Sequence, residues 1–257
     1  MGKKPLILVT NDDGITAPGI RNLIAVMNEI GEVVVVAPDS PQSAMGHAIT
    51  INSTLHCTPI EVPEGTHKEY SCSGTPADCV KLAVNEILDR KPDLCVSGIN
   101  HGSNSSINVI YSGTMSAAVE AGIEGIQAIG FSLLDYRWNA DFSAIKEYVK
   151  KITISAIKNK IPSNVVLNVN FPKLQKEEIK GIKICRQANA YWAEEFDKRT
   201  NPMGLDYYWL TGKFVNEDKG EDTDEWALHN GFISVVPVEF DLTAHHAIQQ
   251  LNTWGFE

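Results

Sequence analysis

The chain has 257 residues, 43% hydrophobic and 21% charged, with 32 acidic against 22 basic side chains and a formal net charge of −10. That length is ample for a sizeable core. No apolar run approaches the roughly 18 residues that cross a bilayer, and the acidic balance argues against duplex nucleic acid as a partner. The basic start, Met1-Gly2-Lys3-Lys4, precedes too short an apolar stretch for a secretory signal of about 7–15 apolar residues, so a cytoplasmic location is expected. Cys57, Cys72, Cys79, Cys95 and Cys185 form no CxxC pair, which fits reduced, mostly buried thiols.

In chain order, Leu6–Thr10 is a short β-branched run without alternation, as expected of a strand buried on both faces. Ile20, Leu23, Ile24, Met27 and Ile30 recur at helical spacing after Pro18, and 32–37 reads as a second buried strand stopped by Pro38. The β-α-β unit places both strands parallel in one sheet. Alternation between Ala48 and Ser73 predicts inserted antiparallel strands. Thr75-Pro76 opens a helix to about Asp89; strands follow at 93–98, 127–132 and 165–169, with helices at 112–124 and 141–158 between them. Beyond residue 180, strands are expected at 182–185, 206–210 and 232–237, with a polar, aromatic stretch from Ala188 to Gly204. The acidic run Glu217–Glu225 reads as a solvated loop. The pattern is α/β: a three-layer, Rossmann-like arrangement on a mostly parallel sheet, with a β-rich C-terminal extension.

Ligands of open parallel sheets sit beyond the carboxyl ends of the strands. Three loops at that edge are rich in oxygen donors: Asn11-Asp12-Asp13-Gly14, Pro38 to Ser43, and Asn100-His101-Gly102-Ser103-Asn104. Adjacent carboxylates repel unless a cation or a proton intervenes. If Gly14 lets the chain turn, Asp12 and Asp13 converge, and with Ser43 and Asn100 they compose a hard oxygen site for Mg²⁺, Mn²⁺ or Ca²⁺. A plain Asx turn is the competing reading. Ser112-Gly113-Thr114 opens a helix whose N-terminus suits a phosphate, or is simply an N-cap. The dinucleotide-binding glycine fingerprint, the phosphate loop and the nucleophile elbow are all missing, which disfavours dehydrogenases, P-loop hydrolases and α/β-hydrolases.

Six stretches together resemble the SurE (survival protein E) family of metal-dependent nucleotidases. They are Ile7-Leu8-Val9-Thr10-Asn11-Asp12-Asp13-Gly14-Ile15, Val36-Ala37-Pro38-Asp39, Gln42-Ser43-Ala44-Met45-Gly46, Ser73-Gly74-Thr75-Pro76-Ala77-Asp78-Cys79-Val80, Val96-Ser97-Gly98-Ile99-Asn100-His101-Gly102-Ser103-Asn104, and Tyr111-Ser112-Gly113-Thr114. The resemblance implies one domain over 1–257: a Rossmann-like core at about 5–180 and an extension at about 181–257 that mediates contacts in a homodimer or tetramer. It implies one divalent ion per subunit on Asp12, Asp13, Ser43 and Asn100, and hydrolysis of nucleoside 5′- and 3′-monophosphates. The catalytic residues expected are Asp12 and Asp13. Phosphate contacts are expected from Asn11, Asn100, Gly102, Ser103, Asn104, Ser112, Gly113 and Thr114. His101, His47 and His245 are the candidates for a proton donor, the last beside Asp241 in a stretch better read as an interface. The stretches 53–66 and 136–140 vary and leave base preference open. A metal-dependent nucleotide-binding protein without turnover is the alternative, and a glycosyl- or nucleotidyl-transferase a more distant one.

Overall fold

The computed structural model describes residues 4–62 and 67–256; the first three residues of the basic start and the end of the variable stretch 53–66 lie outside the described residues. Strand β1 (Leu6–Thr10) and β2 (Glu32–Pro38) flank helix α1 (Pro18–Asn28). In these strands the apolar run divides by parity. Ile7, Val9, Val33 and Val35 face one layer, while Leu6, Leu8, Val34 and Val36 face the other. A strand covered on both faces needs an apolar residue at every position, and this is why the run lacks alternation.

β3 (Cys57–Ile60) and β4 (Lys68–Cys72) follow, then α2 (Pro76–Leu82), β5 (Leu94–His101), α3 (Asn108–Tyr111), α4 (Gly113–Ile123), β6 (Ala128–Leu133), α5 (Lys146–Asn159) and β7 (Val165–Phe171). The extension adds β8 (Ile182–Ile184), β9 (Ala190–Thr200), β10 (Asp206–Asn216), α6 (Asp224–His229), β11 (Ile233–Glu239) and α7 (His245–Leu251). Nine strands form one sheet in the order β3-β4-β2-β1-β5-β6-β7-β11-β8. The pairs from β4 through β7 are parallel; β3 runs antiparallel to β4, and β11 antiparallel to β7. Helices α1 and α5 pack on one face, α2 and α4 on the other. The α/β/α sandwich expected from the sequence is therefore present.

Differences from the sequence reading have local causes. The helix begun by a Thr75–Asp78 capping box ends its α-turns at Leu82 and finishes as a π-turn over Ala83–Ile87. The 141–158 segment enters its helix through a 3₁₀ turn at Ser143–Ile145. The stretch 188–204 is not irregular: most of it is β9, paired over its whole length with β10 in a separate two-stranded ribbon. The acidic run is a correction. Asp224 is fully buried and opens α6, and Arg186 grips Asp218 and Asp222. Only part of that run is solvated. Four of the five thiols are buried and all are free.

Candidate active site at the carboxyl edge of the sheet

At the end of β1 the chain turns rather than continuing its pleat. Asn11 Nδ2 donates to Gly14 O at 2.9 Å, and Gly14 takes φ +93°, a conformation that suits glycine. The neighbouring loop closes onto this turn: Ile15 N–H donates to Pro38 O (2.8 Å), and Gln42 N–H to Asp12 O (2.7 Å), which brings the Ser43 segment against Asp12. Asp12 is buried at the N-terminus of α4, where its carboxylate accepts from the Thr114 hydroxyl and backbone N–H. Asp13 Oδ2 accepts from the backbone N–H of His101, at the end of β5, at 3.1 Å. Two neighbouring carboxylates are thus held, one by α4 and one by the end of β5.

Neither has a basic partner: among the described residues no ion pair involves Asp12 or Asp13. Burial first, and the charge of Asp13 second, push the Asp12 carboxyl up to about 7, against the Thr114 bonds that pull it down. Burial raises Asp13 as well, opposed by the His101 N–H. Asn11 Oδ1 is a buried acceptor without a donor. Asn100 donates its Nδ2 to Gly102 O at 3.0 Å, so its Oδ1 is the atom it could offer a cation. Among the described residues no group of three or more His, Cys, Asp or Glu could hold a metal. The donor set is two carboxylates with neutral oxygens, which fits a hard cation and not zinc.

Helix α4 opens beside Asp12. Ser112 is its N-cap, accepting from Met115 N–H at 3.0 Å, and Gly113 and Thr114 fill the first turn, whose N–H groups lack intrahelical partners. Gly113 sits so close to Asp12 that a Cβ there would stand 2.7 Å from the aspartate's own Cβ.

The Gly102–Asn104 loop is differently occupied. Its three N–H groups go to Leu133 O, Tyr136 Oη and Asn170 Oδ1, and the Asn104 amide donates to Ser132 Oγ. This loop forms a wall of the site; in the first turn of α4, with Thr114 N–H on Asp12 and Met115 N–H on Ser112, the Gly113 N–H has no acceptor among the described residues. His101 Nδ1 donates to Arg137 O (2.8 Å) while its ring packs between Trp138 and Phe142. His47 pairs with Glu120 at 2.7 Å, and His245 with Asp241 at 3.0 Å on the exposed tail. Among the described residues no histidine ring hydrogen-bonds either aspartate.

Several supporting residues escaped the sequence reading. Asp224 accepts from the N–H groups of Ser106 and Ala188, and Glu225 from the Ser105 hydroxyl, so the extension buttresses the wall loop. Asn168 and Asn170 reach the same loop from β7. Asparagines alternating inside an apolar strand, and Thr-Asp ahead of a helix, are the signals that could have exposed them.

A family model described as Survival protein SurE matches residues 7–194, a span that contains both aspartates and the first turn of α4. The chain belongs to the SurE family. A relative named 5′-nucleotidase SurE from Flavobacterium johnsoniae is 78% identical over 252 residues, covering 98% of this chain and 97% of that protein. A Bacteroides fragilis protein of the same name is 47% identical, covering 98% of each. The fold is also that of the crystal structure of the SurE protein from Aquifex aeolicus, with a TM-score of 0.84 at 39% identity, covering 96% of this chain and 98% of that one.

Proposed function

We propose that the protein is a metal-dependent phosphomonoesterase that hydrolyses nucleoside 5′-monophosphates, and 3′-monophosphates with them, to nucleoside and phosphate. The observation that carries this reading is the Asp12–Asp13 pair, lacking any basic partner among the described residues, packed against the N-terminus of α4, where Thr114 donates to Asp12. The names of the SurE relatives support the substrate class.

Asp12, Asp13, Ser43 and Asn100 would hold one Mg²⁺ or Mn²⁺ ion. When bound, such an ion polarises a phosphate oxygen and lowers the pKa of water. The first turn of α4 receives the phosphate dianion, and Gly113 lets it approach Asp12 closely. One Asp12 oxygen is taken by Thr114; the other is available to orient the attacking water. The water oxygen bonds to phosphorus as the ester P–O bond breaks, and the nucleoside hydroxyl leaves. His47 and His245 are held by Glu120 and Asp241, whereas His101, its Nδ1 on Arg137 O, keeps a buried Nε2 without a partner among the described residues; the leaving oxygen takes its proton from that nitrogen or from solvent.

The assembly proposed is a homodimer, with a tetramer as the larger form. It would be built on the β9–β10 ribbon and on the tail, where Phe196, Trp209, Trp254 and Phe256 are exposed. A cytoplasmic site of action accompanies this reading.

Phosphate release from AMP tests the proposal. EDTA should abolish it and Mg²⁺ or Mn²⁺ should restore it. Tight AMP binding without phosphate release would instead favour a nucleotide-binding protein.

A further inference from the structure

The segment between β6 and α5 lies over the end of β5. Leu134 N–H donates to Phe171 O at 3.0 Å, and Leu133 O receives the Gly102 N–H at 2.8 Å, so the segment is rooted in both neighbouring strands. Asp135 is buried and accepts from Arg137 Nη2 at 2.6 Å and Nε at 2.9 Å, with Lys173 Nζ at 3.3 Å. The Arg137 carbonyl in turn holds His101 Nδ1. On this braced turn Tyr136 lies across Gly102, where a Cβ would collide with its ring. Trp138 stacks on His101 with centroids 5.8 Å apart and planes at 15°.

Both aromatics nonetheless remain open to solvent, Tyr136 at 74% and Trp138 at 59%. Core packing does not account for them, because only one side of each is covered. Their supports lead straight to the proposed metal cradle. Gly102 beneath Tyr136 accepts from Asn100, and His101 beneath Trp138 gives its backbone N–H to Asp13. Arg137 and Lys173, the cations of the turn, both engage Asp135. What the turn presents beside the phosphate site is two exposed aromatic rings, with the Arg137 guanidinium between them in sequence paired to Asp135. A planar group matches such rings.

We infer that Tyr136 and Trp138 form a stacking platform for the base of a nucleoside monophosphate, and that it favours purines through their larger ring overlap. The inference rests on the phosphomonoesterase reading for the position of the phosphate. It names the residues that read the rest of the substrate.

Two measurements on the metal-loaded protein separate the platform from that reading. The first is the ratio of kcat/KM for AMP to that for ribose 5-phosphate, which carries no base. Trp138→Ala should lower this ratio about tenfold, in the range of one base–aromatic stack, whereas Trp138→Phe should hold it within about twofold. The second is stopped-flow tryptophan fluorescence on mixing with AMP, where wild-type quenching should disappear in Trp138→Phe, which keeps an aromatic ring. If no phosphate ester is hydrolysed, the phosphomonoesterase reading falls while the quench still reports the platform. An unchanged ratio in Trp138→Ala together with undiminished quenching in Trp138→Phe would overturn the platform alone. So would a loss of the ratio confined to Tyr111→Ala, whose exposed ring lies just before the α4 N-cap.

Discussion

The Thr114 hydroxyl donates to Oδ1 of Asp12 across 102 residues of sequence, joining the first turn of α4 to the turn after β1. The bond fixes which carboxylate oxygen remains for other work. Thr114→Val keeps the shape and removes the donor. The expected result is a 10- to 100-fold loss of metal affinity, of the size seen when an outer hydrogen-bond partner is removed. Titration calorimetry with Mn²⁺ and a thermal melt of the same sample would show the loss in affinity without a matching loss of fold.

Gly113→Ala is expected to be worse for activity than its size suggests. The new methyl would stand 2.7 Å from Asp12 Cβ and 2.9 Å from its Oδ2, so the carboxylate must move. A displacement of about 1 Å at a reacting group is worth roughly 100-fold in rate. Phosphate release from AMP should fall by that order while circular dichroism stays that of the wild type.

Glu120 tethers the loop that carries Ser43. It accepts from His47 on that loop at 2.7 Å and from Lys81 at 2.7 Å. Burial pushes its carboxyl up, but these two bonds outweigh it and hold it below the ordinary value of 4.5. A depressed carboxyl contributes stability that is present above about 4.5 and is lost as pH falls through the folded value. Glu120→Gln should cost about 1–2 kcal/mol at pH 7, since both partners are partly exposed. Urea unfolding should show the gap between wild type and variant narrowing from pH 5 to pH 3. A constant gap would rule out the tether.

Asp224→Ala leaves the buried N–H groups of Ser106 and Ala188 without acceptors, now 2.8 and 2.9 Å from the carboxylate. At about 1–3 kcal/mol per orphaned group, a total loss of about 2–6 kcal/mol is expected, measured by urea unfolding at pH 7. Activity should fall with it, because the released segment adjoins the wall of the site.

How much of this the sequence announced depends on what each segment is buried against. Ile7 to Val9 and Val33 to Val36 are legible because a strand covered on both faces is apolar at every position. The turn at Asn11–Gly14 is legible because a glycine must stand where φ is positive. Strand β9 is not, since Tyr191 to Thr200 is exposed along nearly its whole length and so carries no periodic apolar signal. The acidic run misleads for the opposite reason. Asp224 is charged by composition and buried by hydrogen bonding, and only its partners, Ser106 and Ala188, reveal that. The contact between Gly113 and Asp12 is likewise a property of the folded chain; nothing in either segment alone encodes the approach.

The central claim is that Asp12 and Asp13 together hold one divalent cation beside the first turn of α4. An anomalous difference map from a crystal soaked in Mn²⁺ tests it most directly. The expected result is a single strong peak per chain, within coordination distance of a carboxylate oxygen from each aspartate and absent in Asp12→Asn. No peak there, or a peak that survives in Asp12→Asn with unchanged height, would contradict it.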